Sequence, residues 1–315
     1  MNNISEVDIA GKGVGQRLHK PVLDEIGIAN RFIRIPDLSQ GFLFENPSAK
    51  LIIIGTPTYK HIQHIKYVID RYEIVLCEKP VGNSLDEINS FYHSNGAQVN
   101  NIYINYQLRF LDIAKQISLH LNTYQPKALS IDYCSGARMS HVLPEWYNDY
   151  KCGGGILYSL FSHIIDFILY LGLNIRLVGV SSLEITRDNT IPLNSIDVQL
   201  MTITDIPIFI HIDTKAPFDK FTFFVEGNSK NVTFDFISDS EVTTDHVPQY
   251  TNGTLSSRNP IPWRIGFYRL ISTLIKKDEN MNNVAVIKDA IEVHKIINAT
   301  LSFLVSMKDN NMNIH

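Results

Sequence analysis

The feature that most constrains the fold is an aliphatic run without polar interruption, "LIIIG" at residues 51–55. Such a run is typical of a strand buried on both faces, as strands are in a parallel sheet. Short apolar segments at 6–11, 31–35, 73–77 and 100–106 read as further strands, and helical segments separate most of them. Strands that alternate with helices predict a doubly wound parallel sheet of the Rossmann type, here over residues 1–106.

The pattern changes after residue 106. Longer strands with alternating polarity follow, and residues 284–307 read as a terminal amphipathic helix. Alternation of this kind is typical of an antiparallel sheet with one covered face. We therefore predict a second, α+β domain with a large, mostly antiparallel open sheet over residues 107–315. The length of 315 residues suits two domains.

Composition excludes several classes of protein. The net charge of -4 leaves no basic footprint for nucleic acid. The three cysteines are too few for a disulfide framework or a zinc cluster, so we expect a reduced, cytoplasmic protein without a metal site. The first residues contain no signal-peptide pattern.

Residues 153–173 form a long apolar stretch, but they include His163 and Asp166. A buried helix is therefore favoured over a membrane span.

A glycine-rich stretch, "AGKGVGQRLH" at residues 10–19, links the first strand to the first helix. A dinucleotide pyrophosphate must approach the backbone closely and meet the amide groups that begin a helix, which glycine permits. The candidate cofactor contacts in this turn are Gly11, Gly13, Val14 and Gly15. The spacing G-x-G-x-G departs from G-x-G-x-x-G, so either the turn is one residue tighter or Ala10 replaces the first glycine.

An acidic residue follows the second predicted strand. Asp37 lies 22 residues after Gly15, near the roughly 20 expected for an acid that hydrogen-bonds the adenosine ribose. This role predicts NAD or NADP as the cofactor, with NAD favoured. The alternative interpretation makes Asp37 a turn residue after Pro36.

A line of polar residues marks the long apolar helix of the second half. Ser159, His163, Asp166 and Tyr170 fall within about 40° of one another if the helix turns by about 100° per residue. Polar groups on a buried helix need partners or a wet cavity. A functional role is favoured for His163, behind a triple glycine that would admit a ligand, while Asp166 serves either a ligand or the orientation of the imidazole.

Several motifs, taken in order, resemble the Gfo/Idh/MocA family of nicotinamide-dependent oxidoreductases. The resemblance covers nearly the whole chain. It is carried by "GVGQRLH", "IIIGTPTYKH" with Thr56, Pro57 and His61, "CEKPVGNSLDEI" with Glu78 and Lys79, "YQLRF", "GGGILYSLFSHIIDFILYLG" and "DAIEVHKIINA".

The resemblance implies a cleft site in which Lys79 and His163 flank the carbon that gives or accepts hydride. It also implies a cis Lys79–Pro80 bond, cofactor contacts from Thr56, Pro57 and His61, and a homo-oligomer, dimer or tetramer, through the second sheet. Glu78 either holds Lys79 or touches the nicotinamide ribose.

Substrate contacts are predicted around the domain junction and the long helix. The candidates are Tyr106, Arg109, Trp146, Ser159 and Asp166. Arg109 is either a substrate anchor or a structural partner for an acid such as Asp112. Lys151 is a further candidate for a substrate contact, and Tyr158 is a further candidate for a proton donor.

Two departures from the family pattern bear on the chemistry. Ser159 stands where the family has an aspartate, and a serine carries no charge at neutral pH. Residues 35–49 leave little room for the usual second helix, which affects the adenosine side of the cofactor site.

The sequence therefore predicts hydride transfer between a nicotinamide cofactor and a CH–OH or ketone carbon of a sugar, sugar nucleotide or related polyol. His163 would act as general base and Lys79 would stabilise charge on the substrate oxygen. The alternatives are a dinucleotide-binding regulatory or sensor protein and an NAD-dependent glycosidase.

Overall fold

A computed structural model of the chain describes residues 4–35, 47–135, 145–181, 194–228, 230–242, 250–251 and 261–312. The chain forms two compact units. Unit 1 comprises Met1–Phe110, Lys151–Gly153 and Arg264–Glu292, and unit 2 comprises Leu111–Tyr150, Gly154–Trp263 and Val293–His315. The domain limits of 1–106 and 107–315 stay a prediction from the sequence.

Unit 1 is built on a six-stranded sheet in the order β14-β5-β4-β3-β1-β2. Its strands are β1 (Glu6–Ala10), β2 (Ala29–Ile33), β3 (Leu51–Ile54), β4 (Ile74–Cys77), β5 (Ile102–Ile104) and β14 (Ala285–Val286). The first five run parallel, and β14 adds an antiparallel edge. The predicted parallel sheet of the Rossmann type is confirmed.

The helices of unit 1 surround this sheet. They are α1 (Lys20–Ile26), α2 (His61–Val68), α3 (Leu85–Asn95) and most of α6 (Ile261–Lys276). One face of α6 joins a buried core through Phe267, Leu270, Ile271 and Leu274, together with residues of α1, β1, β3 and β4. Burial of side chains at this spacing is what an amphipathic helix achieves against a sheet.

The start of α3 is capped as its sequence indicates, with one difference. The hydroxyl of Ser84 accepts a hydrogen bond of 3.1 Å from the backbone N–H of Glu87. The carboxylate of Glu87 accepts from the backbone N–H of Asn83, at 3.1 Å. A reciprocal capping box would use the N–H of the capping serine, so here the second bond is displaced by one residue into the preceding turn.

Unit 2 contains an eight-stranded, mostly antiparallel sheet, as predicted. Its main order is β12-β11-β10-β6-β9-β8-β7, and β13 pairs with β10. The strands are β6 (Pro126–Cys134), β7 (Ile175–Ser181), β8 (Ser195–Thr202), β9 (Pro207–Asp213), β10 (Phe218–Gly227), β11 (Val232–Asp235), β12 (Ser240–Val242) and β13 (Tyr250–Thr251). Only β6 and β9 pair in parallel among these described strands.

The inner face of this sheet is aliphatic and aromatic. It carries buried residues such as Ile131, Ile210 and Phe223, and it packs against α5 (Ser162–Tyr170) through Phe167, whose ring lies 6.3 Å from that of Phe223. The other helices assigned to this unit are α4 (Asp112–Thr123) and the greater part of α7 (Ile287–Met312).

The apolar stretch at Tyr150–Tyr170 is long and apolar enough to span a membrane by length and composition alone. However, 83% of its most apolar window is buried inside the structure. The prediction of a buried core helix is therefore confirmed.

Candidate functional site

The glycine turn of unit 1 follows β1 and is shaped by close backbone packing. Gly11 has a φ of +112°, and a Cβ there would lie 2.2 Å from the carbonyl oxygen of Gly55. The N–H of Gly55 in turn donates to the carbonyl of Ala10, at 2.7 Å. Only glycine tolerates this backbone conformation and this approach.

Gly13 has a different environment, because a Cβ at this position would meet no atom within 4 Å. The helix that begins here opens with a π-helical turn, Gly15–His19, before α1. Gly15 packs closely on β2, where its Cβ would lie 2.9 Å from Cε1 of Phe32. Open space beside Gly13 at the start of a helix fits the pyrophosphate of a dinucleotide. Asp37 lies outside the described residues.

The turn after β3 is tied to the turn after β4 by His61. This side chain is buried, with Nε2 2.7 Å from the carbonyl oxygen of Thr56 and Nδ1 2.8 Å from that of Pro80. Burial lowers the pKa of His61, and the two carbonyl oxygens act in the opposite direction. Pro57 lies at the start of the same turn, next to Thr56. The contacts of His61 thus hold the turns that carry Thr56 and Lys79.

Glu78 belongs to a buried hydrogen-bonded group at the carboxyl ends of β1, β4 and β5. One carboxylate oxygen lies 2.6 Å from Nε2 of His19 and 2.7 Å from the amide nitrogen of Asn105. His19 is fully buried and its ring packs on Phe267, with 4.8 Å between ring centroids. The N–H of Glu78 donates to the carbonyl of Ile54, at 2.8 Å.

This group determines the ionisation of Glu78. Burial alone would raise the pKa of the Glu78 carboxyl, but the bond from His19, the charges of His19 and Lys79, and the bond from Asn105 keep the pKa below its ordinary value. Glu78 is therefore a carboxylate at neutral pH. The next residue, Lys79, is partly exposed, and the Lys79–Pro80 bond is cis, as the resemblance implies.

Tyr106 and Arg109 are both buried in unit 1. Arg109 lies 3.4 Å from a carboxylate oxygen of Asp289, which also accepts from the N–H of Val286 at 2.8 Å. An acid beside Arg109 is thus Asp289, at the start of α7. The backbone N–H of Asp112 donates to the carboxylate of Asp239 within unit 2, and the two roles considered for Arg109, substrate anchor and structural partner of an acid, stay predictions.

In unit 2, the helix with the predicted polar line contains a π-helical turn, Leu157–Phe161, followed by α5. A π turn holds one more residue than an α turn. The angular spacing assumed for Ser159 relative to His163 and Asp166 is therefore wrong. All three side chains are buried, and the Ser159 hydroxyl donates to the carbonyl of Gly155, at 2.7 Å.

His163 packs against Trp263, with ring centroids 4.7 Å apart and an interplanar angle of 37°. Trp146 lies at the start of a short 3-10 segment and is half-buried. A Cβ at Gly154 would lie 2.5 Å from the carbonyl oxygen of Trp146. The space beside Gly154, the middle residue of the triple glycine, is thus occupied by the backbone of Trp146. The expectation from the sequence was that these glycines leave room for a ligand.

The structure distributes the predicted site residues over both units. Unit 1 holds those of the three turns after β1, β3 and β4, together with Tyr106 and Arg109, and unit 2 holds Trp146, Ser159, His163 and Asp166. Sequence reasoning missed His19, Asn105, Trp263 and Asp289. His19 could have been found from the sequence. It lies between Leu18 and Val22 on the apolar stripe of its helix, and a polar residue buried there needs a hydrogen-bond partner.

Comparison with known proteins agrees with these features. Residues 34–123 match the Gfo/Idh/MocA model, described as an oxidoreductase family with an NAD-binding Rossmann fold. An uncharacterized oxidoreductase of Synechocystis sp. is 24% identical over 243 residues, 67% of this chain and 66% of that protein. Glucose-6-phosphate 3-dehydrogenase of Bacillus subtilis is 23% identical over 190 residues, 53% of this chain and 54% of that protein. The chain thus spans less than two thirds of the curated relatives it matches.

A solved structure resembles the whole fold. Scyllo-inositol dehydrogenase from Lactobacillus casei, with bound NAD(H) and scyllo-inositol, has a TM-score of 0.71, 12% identity, and coverage of 97% of this chain and 98% of that one. The parallel sheet of unit 1 agrees with the NAD-binding Rossmann fold that describes the matched oxidoreductase family. The resemblance to the Gfo/Idh/MocA family predicted from the motifs is confirmed by the match of residues 34–123.

Proposed function

We propose that this chain transfers hydride between a nicotinamide dinucleotide and the CH–OH or ketone carbon of a sugar, sugar nucleotide or related polyol in the cytoplasm. The observation that carries the proposal is in unit 1. There the open glycine turn follows β1 and the Glu78–Lys79 turn follows β4, and these two parallel strands lie on either side of β3. Ligands of doubly wound sheets bind at the carboxyl ends of such strands.

The residues that would hold the dinucleotide are those of the glycine turn, with Thr56, Pro57 and His61 from the next turn. When bound, the nicotinamide ring supplies the hydride chemistry. Gly13 leaves room for the pyrophosphate, and the first N–H groups of the helix would donate to it. His61 acts by position, because both ring nitrogens already contact backbone carbonyl oxygens. Asp37 stays a candidate for the adenosine ribose.

The proton is handled by two side chains in the proposed reaction. His163 takes the hydroxyl proton in the oxidative direction and returns it in the reductive direction, since an imidazole can both accept and donate a proton. Lys79 donates to the same oxygen and stabilises its developing charge. Glu78 keeps the Lys79 turn in place through His19 and Asn105. Tyr106, Arg109, Trp146, Ser159 and Asp166 are the proposed substrate contacts.

The proposal that the substrate is a carbohydrate rests on proteins to which this chain is similar. One curated relative acts on glucose 6-phosphate by its name, and one solved structure of the same fold was crystallised with scyllo-inositol. Both compounds carry a ring of CH–OH groups. Inositols, hexose phosphates and sugar nucleotides are therefore the first substrates to assay.

The test measures nicotinamide absorbance with these substrates for the wild-type chain and for Lys79→Ala and His163→Ala. We expect turnover to fall at least about a hundredfold in each variant. The matched controls are Lys66→Ala and His93→Ala, which change exposed residues of α2 and α3. If both site variants keep near wild-type turnover, the mechanism is wrong. Dinucleotide binding without turnover would favour a sensor, and glycoside hydrolysis without net reduction would favour the glycosidase.

We also propose that the chain forms a homo-oligomer, a dimer or tetramer, through the open face of the unit 2 sheet. Phe209 on β9 is 46% exposed there. Two ion pairs lie on the same face, His211 with Asp197 at 2.6 Å and Lys220 with Asp132 at 2.7 Å. An exposed aromatic residue flanked by charged pairs suits a self-complementary contact between two copies.

A further inference from the structure

The residue that follows the second strand of unit 1 bears on which dinucleotide is bound. Strand β2 pairs in parallel with β1, and the register sets Phe32 against Ile9 and Ile33 against Ala10. The next residue, Arg34, therefore lies beside the start of the glycine turn, at the carboxyl end of β2.

The face on which Arg34 lies follows from its neighbours. Phe32 lies on the side of the glycine-turn helix, because a Cβ at Gly15 would be 2.9 Å from its ring. Arg31 faces the other way and bonds the carboxylate of Asp8, at 2.6 Å. Side chains alternate along a strand, and continuing this alternation by one residue beyond Ile33, the end of β2, assigns Arg34 to the face of Phe32. Arg34 is exposed.

The surroundings of Arg34 are basic. Lys12 and Arg17 in the turn and its helix are also exposed, and Arg17 donates to the carbonyl of Gly13, at 3.3 Å. Within the described residues 9–19 and 29–35 there is no aspartate or glutamate. The residue directly after the strand, where an acid could accept hydrogen bonds from an unmodified ribose, thus carries a guanidinium, which can only donate. Asp37, the candidate acid for the ribose, lies outside the described residues.

We propose that Arg34 binds the 2′-phosphate of NADP(H), and that this chain binds NADP(H) at least as tightly as NAD(H). The planar guanidinium forms paired, charge-assisted hydrogen bonds to phosphate oxygens. The inference rests on the proposed function, because it assigns the adenosine end of the same cofactor site. It concerns binding, so its test needs no substrate.

The experiment titrates the full chain with NADPH and with NADH by calorimetry. The wild type should bind both, with the NADPH dissociation constant no larger than that of NADH. Arg34→Ala should weaken NADPH binding about tenfold or more and change NADH binding less than about twofold. Arg34→Asp should reverse the preference, since its carboxylate repels phosphate and accepts from ribose hydroxyls.

Arg71→Ala is the matched control, because it removes one exposed positive charge near the amino end of β4. It should leave both affinities unchanged. Wild-type binding of NADH without NADPH overturns the inference and leaves the proposed function intact. Equal weakening of both dinucleotides by Arg34→Ala, or no effect on either, also overturns it. Binding of neither dinucleotide overturns the inference and the proposed function together.

Discussion

Glu78 brings a negative charge into the buried end of β4, and two neighbours stabilise it. His19 comes from the helix after β1, and Asn105 directly follows β5. Both lie within hydrogen-bond distance of the same carboxylate oxygen, at 2.6 and 2.7 Å. The group therefore joins the segments that follow three strands, and Glu78 directly precedes Lys79. A buried carboxylate that keeps its partners holds the local backbone in one arrangement.

Replacing His19 tests this positioning role. His19→Leu should lower the free energy of unfolding by about 1–3 kcal/mol, because a buried carboxylate oxygen loses a donor. His19→Gln keeps a side-chain N–H and should recover part of that loss. Denaturant unfolding measures the stability, and turnover measures whether the KM or the kcat changes. Equal stability of the wild type and both variants would contradict the role.

The ionisation of Glu78 gives a pH dependence with a definite sign. Its pKa is below the ordinary value in the folded state, so the folded chain binds fewer protons there than the unfolded chain does. The stabilisation is present above the ordinary carboxyl pKa and is lost as the pH falls through the folded value. The melting temperature of the wild type should therefore fall over roughly pH 5 to 3, more steeply than that of Glu78→Gln. Parallel curves for the two proteins would contradict the assignment.

The residues of the candidate site differ in how readily the sequence identifies them. Lys79 could be identified from the sequence, because a charged pair that follows a buried strand and precedes a proline has few purely structural explanations. Asn105 could not, since an asparagine after a strand is common in turns. The contact of Arg109 with Asp289 was not predicted either, since Asp289 lies 180 residues further along the chain. Contacts of that sequence separation leave no local pattern.

At the scale of elements, both units place a π-helical turn where a glycine-rich segment enters a helix. Gly15–His19 precedes α1 and contains His19, and Leu157–Phe161 precedes α5 and contains Ser159. Such turns occur frequently at functional sites and shift the side chains before them relative to an α-helix. Hydrophobic periodicity cannot detect one inserted residue, which is why the helices were predicted and the position of Ser159 was not.

Two glycines of the first turn should respond differently to the same substitution. Gly13→Ala adds a methyl group to open space in the chain, so the melting temperature should stay unchanged. That space is where the proposed pyrophosphate approaches, and NADH binding should weaken about tenfold or more. Calorimetric titration and thermal unfolding measure the two effects.

Gly11→Ala is the matched comparison. It places a Cβ 2.2 Å from the carbonyl oxygen of Gly55, at a φ of +112°. This variant should lose stability as well as binding, because the backbone must move to relieve the contact. Unimpaired NADH binding in Gly13→Ala would show that the dinucleotide does not approach the turn there.

At the scale of the whole molecule, the alternation of strands and helices was sufficient to predict a parallel sheet followed by an antiparallel one. The chain path was harder to predict. Lys151–Gly153 and Arg264–Glu292 belong to unit 1 although unit 2 residues surround them in sequence. The segment of α6 in unit 1 is an ordinary amphipathic helix, and its sequence does not distinguish which sheet its apolar face covers.

The open sheet face of unit 2 gives the prediction for assembly. Phe209 is central on that face, because β9 lies between β6 and β8. If two copies meet there, Phe209→Glu buries an unpaired charge and should dissociate the oligomer, at a cost of several kcal/mol. Light scattering after size exclusion would then give a smaller mass for the variant than for the wild type.

Ile203→Glu separates this effect from a general loss of solubility or stability. Ile203 is 72% exposed in the turn between β8 and β9, so a charge there meets water in either state. This variant should keep the wild-type mass. A monomeric wild type would rule out the assembly. A Phe209→Glu chain that keeps its mass would move the contact to another surface, because a sheet face that excludes water cannot accept an uncompensated carboxylate at its centre.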